Sequence, residues 1–152
     1  MRAITHAMTG AAIGFAVSEP AAALPLALAS HYVLDALPHY GGGLPENEEL
    51  NSPVFRGLLL ADICLCPLFI LLLAVQRPQH WILAAICAFI AAAPDLASIN
   101  TYLRARRGET PKPNRYTRFA HGIQWFERPL GGVVEVAWLI AMAVILIPII
   151  RI

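Results

Sequence analysis

Apolar residues in this chain run in long blocks broken by short polar stretches, not in the alternation of a half-buried strand. A bilayer-spanning helix needs about 20 mostly apolar residues. Three blocks meet that description: Gly57 to Val75, Trp81 to Leu96 and Gly132 to Ile150. Two more lie at the start, Ala3 to Val17 and Ala21 to Leu37, separated by Ser18-Glu19-Pro20. They predict a helical hairpin turning at Ser-Glu-Pro. The first is short for a full span, and its small residues (Ala7, Gly10, Ala11, Ala12, Gly14) suit close helix packing. A cleaved leader ending near Ala21-Ala22-Ala23 is the competing reading. His6, Thr9 and the lack of a basic leader region beyond Arg2 weigh against it.

Two polar segments separate the blocks. Pro38 to Arg56 carries Gly41-Gly42-Gly43 and the acidic run Glu46-Asn47-Glu48-Glu49, and its composition predicts a loop. Ser98 to Gly131 holds seven of the eleven Lys and Arg residues: Arg104, Arg106, Arg107, Lys112, Arg115, Arg118 and Arg128. Basic loops stay on the cytoplasmic side. Alternation then puts the N-terminus inside, Glu19 outside, Pro38 to Arg56 inside and the C-terminus outside.

Composition agrees with that picture. Of 152 residues, 58% are hydrophobic and 14% charged, and mean hydropathy is +0.62. Soluble domains average about 25% charged residues, so there are too few here to cover a water-facing surface. A net charge of +1 excludes a basic nucleic-acid tail, and the high hydrophobicity excludes disorder. The expected fold is an all-α, polytopic membrane bundle of one domain, with about five membrane segments and a cytoplasmic-side loop or interfacial helix. Cys64, Cys66 and Cys87 lie in apolar runs; with an odd count and no C-x-x-C pair, they predict buried fillers rather than a disulfide or zinc ribbon.

Ionisable groups inside membrane segments are costly, which makes each a candidate for function. On the predicted topology His6, His31, Asp35, Asp62 and Asp95 all fall at the inner ends of their segments. His39 follows just after, Glu135 opens the last helix, and His121 and Glu127 sit in the inner loop. His31 and Asp35 are four apart, on one helix face, a spacing at which imidazole and carboxylate can grip one divalent ion. The nitrogen-and-oxygen donor set of His6, His31, Asp35, His39, Asp62, Asp95 and His121 suits zinc, manganese or iron, and zinc or manganese is the expected cofactor. Its spare carboxylates would also permit two metals. Each residue has a plainer role available: His6 bonding a carbonyl, Asp62 a packing group, Asp95 a turn residue after Pro94, His39 an interface residue, Glu135 a helix-dipole partner. Clustering at one end favours the site.

The segment Phe119 to Pro129 mixes aromatics with His121, Gln124, Glu127 and Arg128 and reads as an interfacial helix. Glu127 and Glu135 are the candidate general bases. No G-x-S-x-G motif is present, which argues against a serine hydrolase.

Thr5-His6-Ala7-Met8-Thr9-Gly10 and Ser30-His31-Tyr32-Val33-Leu34-Asp35 resemble the T-H-x-x-x-G start and the H-x-x-x-D element of the bacterial inner-membrane, metal-dependent hydrolases of the YdjM-like kind. The likeness covers roughly the first forty residues, and Pro94-Asp95 is similar to that family's Pro-Asp element. Its later H-R-G-x-T-H-S signature is absent. The resemblance implies metal-ligand roles for His6, His31, Asp35 and Asp95.

Together these readings predict an inner-membrane hydrolase with a cytoplasmic N-terminus, its site open to the inner leaflet, its partner the lipid bilayer. The expected substrate is a lipid headgroup or phosphoester met by Arg115, Arg118 and Arg128, with no nucleic acid involved. The alternative is a non-catalytic membrane protein whose polar cluster locks helix packing or binds an ion or proton. Transport would place such groups at mid-membrane or on both faces.

Overall fold

A computed structural model describes residues 1–43, 46–109 and 114–151 of the chain. Its elements are α1 (Ala3–Ala16), α2 (Pro20–Asp35), α3 (Glu46–Asn51), α4 (Pro53–Gln76), α5 (Trp81–Leu96), α6 (Ile99–Arg106), α7 (Arg115–Ile123) and α8 (Gly131–Ile150). No strand occurs among the described residues; a lone bridge pairs His39 with Glu127. The fold is all-α, as expected.

Three stretches are long and apolar enough to cross a membrane: α4, α8, and α5 with α6 over Trp81–Arg106. The five expected segments therefore divide into three of spanning length and two shorter helices. α1 has 14 residues and α2 has 16. At about 1.5 Å per residue both fall short of a hydrocarbon core about 30 Å thick. α2 ends at Asp35 and not at Leu37, because Pro38 pushes the residue before it out of the helical region.

Local signals explain the helix starts. Glu19 caps α2 through the Ala21 amide, with Pro20 at the first helical position. The Phe55 amide donates to Ser52 Oγ at 3.1 Å, and Pro53 follows that cap, so α4 begins four residues before the expected Gly57. The predicted loop 38–56 thus contains α3 and the first turn of α4. The basic segment is also more ordered than a loop, since α6 and α7 both lie within it. Asn114 caps α7 by accepting from the Thr117 amide at 2.9 Å. Lys112 lies outside the described residues.

α1 is the centre of the bundle, packed most closely on α5 and also touching α2, α8 and α4. Its face His6-Gly10-Gly14 repeats every four residues and meets the small, buried residues Ala84, Cys87, Ala88 and Ala91 of α5. A Cβ at Gly14 would stand 2.6 Å from the Ala84 Cα, and one at Gly10 would stand 2.7 Å from the Ala91 Cβ. The two backbones touch because nothing larger intervenes, the packing mode favoured where lipid, not water, surrounds the helices.

α4 presents the opposite character, with Leu73 its one buried residue. Leu60, Ile63, Leu68, Leu71 and Val75 are exposed, as are Val133, Val136, Ile140 and Val144 on α8. Apolar faces this continuous are foreign to soluble monomers and compatible with a membrane protein. Of the three cysteines only Cys87 is buried; Cys64 is exposed on the apolar outer face of α4, which corrects the expectation that all three fill the core.

Candidate functional site

The first turns of α1, the last turns of α2 and the end of α5 bring four of the expected residues together. Asp35 is the hub. Its Oδ1 is 3.1 Å from His6 Nε2, and its Oδ2 is 3.3 Å from His31 Nε2. Asp95 Oδ1 lies 4.0 Å from the same His31 nitrogen. The two imidazole rings lie 4.1 Å apart between centroids. One ligand atom from each of His6, His31 and Asp95 falls within 4.8 Å of the other two. His6, His31 and Asp35 are all buried, at 0%, 3% and 3% exposure.

Hydrogen bonding around the cluster is incomplete in an informative way. His31 Nδ1 donates to the Ala91 carbonyl oxygen at 2.8 Å, since a carbonyl can only accept. His6 Nδ1 has no hydrogen-bond partner among the described residues, and neither has Asp95 Oδ2, although both are buried; the one polar neighbour of His6 Nε2 is Asp35. Buried polar atoms are normally satisfied, so these orphans call for a further group. Ligand atoms around a four-coordinate zinc at about 2.0–2.1 Å stand about 3.3 Å apart. The contacts of Asp35 with the two imidazoles match that spacing. Two nitrogens and the carboxylates of Asp35 and Asp95 are also a donor set that suits zinc or manganese. His6, His31 and Asp95 form a group that could hold a divalent ion.

Asp35 has two further partners. Gln124, just beyond α7, donates from Nε2 to Asp35 Oδ2 at 3.1 Å, and the amino group of Met1 pairs with Oδ1. Gln124 stood in the aromatic loop segment without any predicted role. Its only signal was a polar amide within a stretch otherwise read as interfacial.

The remaining candidates lie around this core. Asp62 faces Arg2, whose Nη2 is 3.0 Å from Asp62 Oδ1, and it also accepts from the Ile4 amide at 3.4 Å. Glu135, buried at the start of α8, accepts the backbone N–H of Arg2. Both carboxylates thus hold the start of α1 in place. His39 is buried, but its Nδ1 donates to the Leu37 carbonyl at 2.8 Å and its backbone packs against Gly131. Burial, and then the nearby positive charge of the N-terminus, hold the His39 pKa below the usual histidine value. Glu127 lies over Gly41; desolvation and then the charge of Glu49 push its carboxyl above the ordinary range. His121 is exposed on α7. His39, His121 and Glu127 are not part of the His6–His31–Asp35–Asp95 group.

No protein-family model matches the chain, and no curated protein or solved structure shows significant similarity to it.

Proposed function

We propose that this chain is an inner-membrane, metal-dependent hydrolase of the YdjM-like kind, with its ion held by His6, His31, Asp35 and Asp95. One observation carries the reading: a buried carboxylate, Asp35, faces two imidazole nitrogens at ligand-like spacing while His6 Nδ1 and Asp95 Oδ2 go unbonded. A divalent ion held there supplies Lewis-acid chemistry and lowers the pKa of water toward about 7. The chain's own groups do the rest. Ala91 fixes the His31 ring, and Gln124 orients Asp35, the kind of outer support that metal ligands need. Glu127 is the stronger candidate for moving a proton, because Glu135 is already engaged with the backbone of Arg2. The substrate is a lipid headgroup or phosphoester reached from the inner leaflet.

In this reading α1 and α2 insert as a short hairpin beside the three long helices, giving five segments with the N-terminus in the cytoplasm. Cysteine labelling at Glu46 and Lys112, in a background without the native cysteines, checks the orientation. Labelling of either from the periplasm overturns it.

Elemental analysis of the detergent-purified full chain tests the site. Wild type should hold stoichiometric zinc or manganese, lost in His31→Ala and Asp35→Ala. A wild-type protein that binds no stoichiometric metal after reconstitution with either ion removes the hydrolase reading. A second reading, a polar lock between α1, α2 and α5, is favoured by the contacts that Met1 and Gln124 already make to Asp35. It predicts normal stability and no metal in the wild type.

A further inference from the structure

A groove of about 310 Å³ opens between α2, α5 and α7, lined by Leu28, Tyr32, Ile90, Ala93, Pro94 and Tyr116 among others, none of them charged. That volume is at the lower end of the range for small-molecule sites, about 300–1,000 Å³. The groove adjoins the polar cluster in the chain at two places. Tyr32 follows His31, with the two rings edge to face at 5.1 Å, and Pro94 precedes Asp95. α7 closes one side: Tyr116 donates from its hydroxyl to the Pro94 carbonyl at 3.2 Å, and Phe119 packs on Tyr32 with centroids 5.5 Å apart.

Two features indicate what fills the groove. Arg115 and Arg118 flank Tyr116 on either side in sequence, are exposed, and have no ion-pair partner among the described residues. The helices that form it carry exposed apolar residues, Leu28 in the groove itself and Leu26, Val33, Phe89 and Leu96 elsewhere on α2 and α5. An open apolar groove, with arginines that form no ion pair among the described residues on the helix along its side, is complementary to a molecule with a long hydrocarbon tail and an anionic head.

We infer that the groove seats one acyl chain of an anionic bilayer phospholipid, with its phosphate held by Arg115 and Arg118 and its ester region turned toward Asp35 and Asp95. This rests on the hydrolase reading and names its substrate class. The chain is held by apolar burial and the phosphate by guanidinium contacts, which are strongest when bidentate. Tyr32 is the residue that joins the two halves, touching His31 on one side and lining the groove on the other.

Photolabelling tests the inference. The full chain is placed in phosphatidylcholine nanodiscs holding a trace of phosphatidylglycerol with a diazirine in its acyl chain, and labelled peptides are mapped. Label should concentrate on the segments bearing Leu28, Ile90 and Tyr116, about fivefold above the exposed face of α8, equivalent to about 1 kcal/mol of preference. Ala93→Trp, which fills the groove, should reduce that label to the α8 level and leave α8 labelling unchanged. Leu28→Trp, at an exposed position, should do the same and serves if Ala93→Trp does not fold. A phosphatidylcholine probe should label the groove less than the phosphatidylglycerol probe, and Arg115→Gln with Arg118→Gln should erase the difference. Even labelling of groove and α8, groove labelling that survives both tryptophans, or protein–protein crosslinks through the groove in place of lipid would each overturn the inference. Metal content is measured on the same samples. Groove labelling without metal therefore sinks the hydrolase reading alone, and metal without groove labelling sinks the lipid assignment alone.

Discussion

His31 Nδ1 and the Ala91 carbonyl oxygen, on α2 and α5, are joined by a 2.8 Å hydrogen bond. The bond determines which face of the imidazole is available for chemistry. A neutral ring with its proton on Nδ1 would turn the lone pair of Nε2 toward Asp35 and Asp95. Two acceptors facing each other in a buried space repel unless a proton or a cation lies between them. Metal-binding histidines are commonly oriented by the same kind of backbone bond.

Gln124 should matter to metal binding despite being no ligand. Gln124→Ala removes its hydrogen bond to Asp35 Oδ2, and loss of such support typically weakens metal affinity by about 10–100-fold. A competition titration with a chromophoric chelator, wild type against variant, measures this. Under the polar-lock reading only stability would fall, by about 1.5–3 kcal/mol for a bond to a charged group.

Asp62 should behave differently from Asp35. Its carboxylate is engaged by Arg2, in a pair that keeps some solvent contact. Asp62→Asn is expected to cost about 1 kcal/mol or less and to leave metal stoichiometry unchanged. Metal loss equal to that of Asp35→Ala would place Asp62 in the ligand set.

Gly14→Ala offers a test in which two effects oppose each other. Helix propensity favours alanine by about 0.8–1.0 kcal/mol, whereas overpacking costs about 1–3 kcal/mol. The new Cβ would meet the backbone of Ala84 at 2.6 Å, where no flexible side chain can yield. Overpacking should win, with a lower unfolding temperature in detergent. A higher one would mean that α1 and α5 do not touch as described.

His39 should make the protein acid-sensitive. Its folded pKa lies below the unfolded value of about 6.5, so the unfolded chain takes up the proton first as pH falls. Its contribution is therefore lost as pH drops through and below the ordinary histidine range, and is intact above it. His39→Gln should flatten that part of the stability–pH curve relative to wild type. Identical slopes for the two proteins would contradict the burial of this ring.

The sequence made some of this legible and concealed the rest. Blocks of apolar residues located α1, α2, α4, α5 and α8, although only three stretches have spanning length where five membrane segments were expected. Helix length was harder: the apolar run continues to Leu37, whereas α2 ends at Asp35, ahead of Pro38. The pair His31–Asp35 followed from spacing within one helix. The approach of His6 and Asp95 depends on how α1 lies against α2 and α5, and inner-end placement only made it plausible. Gln124 was out of reach, since its bond to Asp35 spans 89 positions. His39, His121 and Glu127 were grouped with the cluster because they share its end of the bundle, a coarser criterion than contact.

The four-residue repeat His6, Gly10, Gly14 acts as a depth gauge. If α1 slid along α5 by one turn, a bulkier side chain would enter a notch sized for glycine, and the helices would have to part. The height of His6 relative to Asp35 and Asp95 is therefore set by backbone contact about one to two turns below it, with no bond to His6 required. The site would therefore be displaced by substitutions at positions that never touch its contents, among residues that look like filler.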